Sequence, residues 1–514
     1  MFLPVAISDP PSPAPNDSPE VVELKRQLHW AHLKIQVLEE RLRLQRIQKY
    51  GPGSEKLSDR QLELLELEPG VSNLEVQAES ARGPLPQRPP RTERPRRHPG
   101  RQQLPADLPR VERVIACAPE QCQCQSCGKA MTVIGYETGE QLDVEPAKYF
   151  VVVTKREKRA CQHCEQGGVA SASAPARIIE KGLVSDRVVI DTVISKYSDH
   201  LPLYRQSVML ERETGLAISR ATLDGWVMTV GGLLIPVAAV IGRELVCGSY
   251  IQADETPVDV QMHDRRGKNH QAYLWQYGRP GASVVFDFRL RRGRDGPQRF
   301  LEGFNGVLQT DGYAAYDKIG GPKLVHAACW AHARRKFFEA HQVSPGEGVA
   351  KGIVLLIDQL FGIDAEARAQ NLEFAARDIL RQQQARPLLD TIKQQIEAAR
   401  GQALPASKLG GAISYTLSLW EKLKRFLDYP ELELSNNLAE NSMRGIALGR
   451  KNWIHIGSPQ AGPRVAAILS VVESCRRLRI SAREYLASVL PGLADVSIHK
   501  LAELTPTVWA ARNR

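Results

Sequence analysis

Nothing in this 514-residue chain reads as a secretory signal or a membrane span. Met1 to Glu20 holds prolines and acids where a signal needs a basic start and an apolar core, so export is not expected and a cytoplasmic location is. The longest uncharged run, Trp226 to Gly242, contains Gly231, Gly232 and Pro236 and reads as a buried helix, which leaves no membrane partner. Cysteine is scarce: of nine, six lie between Cys117 and Cys164, and the other three, Cys247, Cys329 and Cys475, stand alone. A disulfide scaffold is thereby set aside, and crowded thiols in a reducing compartment point to metal binding. No internal repeat is visible.

What is present is positive charge, +10 net with a pI of about 9.1, which makes an anionic polymer the natural partner. Half of that excess sits between Gly83 and Arg110, where Arg88, Arg91, Arg94, Arg96, Arg97, Arg101 and Arg110 face only Glu93 and Asp107 and are interleaved with prolines. Such a segment cannot build a core; it stays extended, either as a solvated spacer or along DNA phosphates, with Arg96 and Arg97 as candidate DNA contacts.

The order of segments follows from pattern. Residues 20–50 carry Leu24, Leu28, Ala31, Ile35, Leu38 and Leu42 in alternating steps of four and three, the spacing of a coiled-coil seam, so a homo-oligomer is expected. Residues 51–114 hold a short helix, Ser58 to Glu68, and the basic linker. Residues 115–170 form a cysteine module in which Cys124-x2-Cys127 and Cys161-x2-Cys164, separated by a strand-rich stretch from Lys148 to Lys155, suit one structural zinc ion with thiolate ligands; Cys117, Cys122 or His163 could replace one of the four. Residues 182–243 are helical, with Leu203 to Thr214, a turn at Gly215 and Ser219 to Val227 laid out as a DNA-reading pair, a layout shared by two ordinary packed helices.

From residue 248 to 335 the character turns to strands at Tyr250–Ala253, Ala272–Tyr277, Ser283–Phe288, Gly306–Thr310 and Lys323–Ala327, with a helix near Pro297–Phe304. Strands alternating with helices predict a multidomain α/β chain whose mixed sheet is covered by helices. Residues 336–430 read as helical, 431–490 return to the core, and 491–514 form a tail.

Asp254 and Asp311 end two of the strand-like runs, and Glu440 follows Ser435-Asn436-Asn437 on the first turns of a helix with Arg444 one turn later on the same face. Carboxylates are hard oxygen ligands, ionised at neutral pH, and three of them can hold two magnesium (or manganese) ions. Glu255 points to the other side of an extended strand and is the weaker ligand candidate. Arg444, Arg450 and Lys451 are candidates for gripping phosphates. Cys329-x2-His332 offers two metal ligands, too few to close a site; packing beside the active centre is the equal alternative.

With these residues in place the chain resembles the insertion-sequence-66 family of bacterial transposases. The resemblance rests on Lys49-Tyr50-Gly51-Pro52-Gly53-Ser54-Glu55-Lys56-Leu57, Leu104 to Arg110, the cysteine knuckles, Ala253-Asp254-Glu255-Thr256, Thr310-Asp311-Gly312-Tyr313, Cys329-Trp330-Ala331-His332 through Phe337, and the block from Asn437 to Trp453. It departs at Ser435, where the family commonly has aspartate, and at Gly445, where proline is common. The resemblance implies a ribonuclease-H-like core interrupted by an all-helical insertion, with Asp254, Asp311 and Glu440 as metal ligands. It implies strand cleavage at inverted element ends, transfer of the 3′-hydroxyl into target DNA, and accessory proteins encoded by the element. A non-catalytic DNA-binding regulator, a structural assembly protein, a plain nuclease and a degenerate copy remain the alternatives.

Overall fold

A computed structural model describes residues 19–50, 59–67, 149–160, 169–180, 182–262, 269–344, 348–401, 403–404 and 406–513. The chain divides into two compact units, residues 86–153 and the remainder. Within the smaller unit the described residues 149–153 are exposed and carry no regular secondary structure. The strand expected from Lys148 to Lys155 is not formed over its described part. Pairing comes just later, where β1 (Lys158–Ala160) runs antiparallel to β2 (Val169–Ser171).

The larger unit is built on five strands: β3 (Tyr250–Gln261), β4 (Asn269–Gly278), β5 (Val284–Arg289), β6 (Val307–Thr310) and β7 (Val325–Ala328), in the order β5-β4-β3-β6-β7. The first three form an antiparallel meander, and β6 and β7 add in parallel to β3 after a crossover carrying α6 (Asp295–Phe300). Every strand expected between residues 248 and 335 is present, and β3 runs past the expected end at Ala253 to Gln261 because its second half pairs along β4, from Asp254↔Gln276 to Gln261↔Asn269.

Alternation along the strands divides the interior. Ile251 and Leu308 point into a core shared with α3 (Asp186–Tyr197), α5 (Arg220–Val246), α14 (Ala461–Arg477) and α15 (Ala482–Val489). Tyr250 and Val307, one residue earlier on each strand, point into a second core made with the helices after β7. Those helices are α7 (Trp330–Val343), α8 (Gly348–Ala369), α9 (Phe374–Leu380), α10 (Arg386–Arg400), α11 (Lys408–Ser418) and α12 (Trp420–Leu423). The sheet therefore has helices on both faces. α13 (Asn437–Trp453) follows them and carries Glu440; α16 (Pro506–Arg512) closes the described chain.

Edge strand β5 is covered: the N–H groups of Phe286 and Val284 donate to Ser470 Oγ and Ser474 Oγ of α14, at 2.8 Å each. α14 also crosses α5 closely at Gly231, where an added Cβ would stand 2.9 Å from the Arg464 carbonyl oxygen. α5 is the one helix among the described residues long and apolar enough to cross a membrane, but Val227, Val230, Leu234, Val237 and Ile241 are fully buried in the core. Its apolar length is thus accounted for by packing.

The expected helical pair is present as α4 (Leu203–Thr214), Gly215 in the left-handed conformation (φ 71°) and α5, capped by Ser219, whose side chain accepts from the Thr222 N–H. The second helix does not stop near Val227. It continues to Val246, because the apolar run that follows is core-facing, and its first turn, Arg220 to Thr222, stays exposed. At the amino-terminal end α1 (Pro19–Tyr50) is one 32-residue helix with Leu24, Leu28, Ile35, Leu38 and Leu42 exposed along it, and α2 (Asp59–Glu66) buries Leu64, whose carbonyl accepts from Arg368 on α8.

Candidate active site

The register of the two central parallel strands aligns the aspartates. Gln252 on β3 pairs with Gln309 on β6, and each glutamine stands two residues before an aspartate, so the pleat carries Asp254 and Asp311 to the same sheet face at the same level. The glutamines are fully buried and bonded to each other, with the Gln252 amide donating to the Gln309 carbonyl oxygen at 3.1 Å. They also dock the segment leading into α13: Gln252 donates to the Ser435 carbonyl (2.9 Å) and Gln309 to the Glu433 carbonyl (2.7 Å). Sequence reasoning missed this pair, although the Gln-x-Asp spacing repeated at the two strand ends was there to be seen.

Asp254, Asp311 and Glu440 are each half-buried. Burial first, then the charges of Glu440 and Glu255 and more weakly of Asp311, pushes the Asp254 carboxyl well above its ordinary value; the bond from the Glu255 N–H (2.9 Å) offsets this only in part. Asp311 Oδ1 accepts from the Tyr313 N–H (2.8 Å) in a tight turn that Gly312 permits with φ +91°. Its backbone carbonyl accepts from the Tyr415 hydroxyl of α11, so the helical stretch holds the aspartate's loop. Glu255, on the other side of β3, is bonded to Arg292 (2.6 Å) and accepts from the Tyr316 hydroxyl (3.2 Å), while its charge still acts on Asp254.

Glu440 meets α7 as well as the aspartates. Its Oε2 lies 3.6 Å from Arg335, and its Oε1 lies 3.7 Å from His332 Nδ1, with neither of these last two atoms hydrogen-bonded. Among the described residues, Cys329, His332 and Glu440 are the metal-ligand types whose donor atoms all fall within 4.8 Å of one another. Asp254 and Asp311 stand outside that group, close enough to act on one another electrostatically. Burial pulls the His332 imidazole down, but the neighbouring Cys329 and Glu440 outweigh it and hold it up at about 9.

Of the basic residues singled out on α13, Arg444 is half-buried one turn beyond Glu440 and Lys451 is exposed. Arg450 is held by the Pro257 carbonyl and so ties α13 to β3, a contact sequence spacing gave no sign of. Arg96, Arg97, Cys124, Cys127, Cys161 and Cys164 lie outside the described residues, the last two between β1 and β2 in the sequence.

The fit of divalent ions can be tested on the acids. Their donors are hard oxygens, Glu440 Oε1 is buried without a hydrogen-bond partner, and the crowding that raises Asp254 is what a cation would relieve. Two ions spread their ligands more widely than one, since they sit about 3.5–4 Å apart. The residues fit.

Comparison with known proteins covers most of the chain. The family model described as "Transposase IS66 family" matches residues 181–464, "zinc-finger binding domain of transposase IS66" matches residues 121–165, and "Transposase C of IS166 homeodomain" matches residues 37–113. Similar full-length relatives come from Sinorhizobium fredii (strain NBRC 101917 / NGR234). "Uncharacterized protein y4qI" is 32% identical over 499 residues, covering 93% of this chain and 89% of that protein. "Uncharacterized protein y4hP" is 30% identical over 502 residues, covering 93% and 88%, and "Uncharacterized protein y4jD" is 33% identical over 425 residues, covering 79% and 82%.

Proposed function

Because the chain belongs to the IS66 transposase family, we propose that it is an active DNA transposase that cleaves the ends of its own insertion sequence and joins the freed 3′-hydroxyl to target DNA. The observation that carries this reading is the Gln252–Gln309 register of two adjacent parallel strands, which sets Asp254 on β3 and Asp311 just past the end of β6, each two residues on, with the segment leading to the Glu440 helix docked through the same two glutamines. An antiparallel meander followed by two parallel strands supports a ribonuclease-H-like core, and the helices between β7 and α13 then form its insertion.

Asp254, Asp311 and Glu440 would hold the magnesium or manganese ions, whose chemistry when bound is to activate the attacking oxygen and stabilise the leaving one. The chain's own contribution is alignment. Gln252 and Gln309 fix the height of α13 against the sheet, Tyr415 fixes the Asp311 loop, and Arg335 holds one oxygen of Glu440. Arg444 and Lys451 lie beyond Glu440 on the same helix, where DNA phosphates flanking the reacting bond would run.

The other segments supply DNA affinity and pairing. The zinc-finger match over residues 121–165 supports a zinc-binding role there, for which Cys124, Cys127, Cys161 and Cys164 would be the ligands. The arginine linker adds salt-dependent affinity for the DNA backbone. The apolar seam of α1 would pair two copies so that both element ends are handled together; accessory proteins of the element would complete the assembly.

The test is a strand-joining assay with labelled element ends and magnesium. Asp254→Ala, Asp311→Ala and Glu440→Ala are each expected to lower joining by about a hundredfold or more, since each removes a ligand to the ions. Joining at the original rate in any of the three would overturn the site assignment. Cleavage by the unaltered chain without joined product would make it a nuclease instead.

A further inference from the structure

We propose that Cys329, His332 and Glu440 form a separate site for a thiophilic divalent cation of the zinc class, which competes with magnesium for the glutamate. The competition rests on the reading of Glu440 as a magnesium ligand; the binding site itself does not.

Local structure puts the first two ligands together. Cys329 is the extended residue (φ −96°, ψ 119°) between β7 and α7, and His332 is three residues on, in the first turn, so both side chains emerge on one side of the helix start. α13 brings Glu440 to the same place, and the three donor atoms lie within 4.8 Å of one another. The His332 Nδ1 to Glu440 Oε1 distance of 3.7 Å is too long for a hydrogen bond, and neither buried atom has a hydrogen-bond partner. It is close to the spacing of two ligands on one tetrahedral ion, roughly 3.3–3.6 Å for metal–ligand bonds of about 2.0–2.2 Å.

Chemistry selects the ion. A thiolate and an imidazole favour zinc and disfavour magnesium, which binds hard oxygens in an octahedron. Cys329 is fully buried, its thiol is free, and ligation would release both the thiol proton and a proton of the His332 imidazolium to solvent. The glutamate's oxygens are already divided: Oε2 faces Arg335 and Oε1 faces His332. Three protein ligands leave a fourth position open, as a site that is filled and emptied requires. With zinc bound, Oε1 is taken and the magnesium set loses a ligand.

The direct test counts metal. The full-length protein is dialysed against zinc and its content measured by atomic absorption, beside Cys329→Ala, His332→Gln and the double variant Cys161→Ala/Cys164→Ala. The unaltered chain is expected to hold one ion more than either Cys329→Ala or His332→Gln, and the double variant to keep that ion while losing the one in the zinc finger. Because Cys329 is a core residue, His332→Gln, with a partly exposed ring, separates a lost ligand from lost packing. Unchanged zinc content in His332→Gln would overturn the site.

The second arm titrates zinc into magnesium-supported strand joining. Zinc is expected to inhibit the unaltered chain, and the half-inhibiting concentration to rise about tenfold or more in His332→Gln, each variant read against its own zinc-free rate. Equal sensitivity would overturn the competition. If no magnesium-dependent joining occurs at all, the transposase reading fails while the metal count still decides the site.

Discussion

Replacing Arg381 by methionine tests how the helical stretch sets the path into Glu440. Arg381 is fully buried where a single π-helical turn (Arg381–Ala385) joins α9 to α10. It makes two bonds to Asp364 (2.9 and 2.7 Å) and donates to the carbonyls of Phe426 (2.9 Å) and Leu432 (2.8 Å). Arg377 bridges Asp364 to Glu433, and Arg368 adds to Glu433, so two buried carboxylates share three guanidinium groups. Removing Arg381 leaves Asp364 buried with Arg377 as its remaining partner and two carbonyls unsatisfied, a loss of about 3–5 kcal/mol. At about 1.4 kcal/mol per tenfold this is a roughly hundred- to few-thousand-fold rise in local opening, read by native-state hydrogen exchange at amides of residues 374–400. An exposed pair such as Arg425–Asp428 provides the control, with Arg425→Ala expected to change exchange by less than about 1 kcal/mol. The double change Arg381→Met/Asp364→Asn should cost less than the sum of the two singles, because each single strands the other's charge. Exchange within fivefold of the unaltered chain, or strictly additive singles, would refute the reasoning.

Three further outcomes follow from the described contacts. Asp254 carries a carboxyl raised mainly by burial, so as pH rises above the ordinary carboxylate range near 4 the unfolded chain ionises while the folded one resists; Asp254→Asn should therefore raise the melting temperature of the metal-free protein at neutral pH, with the gain vanishing below about pH 4. Gly231→Ala should destabilise by about 1–3 kcal/mol in chemical denaturation, because the new methyl meets the Arg464 backbone where α5 and α14 cross, whereas Gly225→Ala on the same helix has open space and should be neutral or stabilising. Leu28→Asp together with Ile35→Asp should reduce the mass seen by light scattering, while a mass equal to that of the unaltered chain would remove the exposed seam of α1 as the pairing surface.

The strands were legible as short apolar runs and Glu440 as an acid behind amides on a helix; Asp311 does follow its strand, whereas Asp254, read as a strand end, stands inside β3, which runs on to Gln261 along β4. That the second helix of the pair, from Ser219 to Val227, and the buried helix from Trp226 to Gly242 are one continuous α5 was not legible, since each was read from its own pattern. Asp364, Arg377 and Arg381 read in sequence as ordinary helix-surface charges, and only packing against Glu433 and the carbonyls near Leu432 shows them buried. The place of Cys329-x2-His332 beside the active centre was among the sequence readings, but its meeting with Glu440 was not, because more than a hundred mostly helical residues separate the start of α7 from α13.

The bond from Tyr415 to the Asp311 backbone, with Leu419 pressed where a side chain at 312 would stand, means that the helices between β7 and α13 help to hold the loop that follows β6. Removing residues 333 to 430 would uncover the Trp330 side of the sheet and release the turn that carries Asp311, so the strands and that stretch of helices stand or fall together.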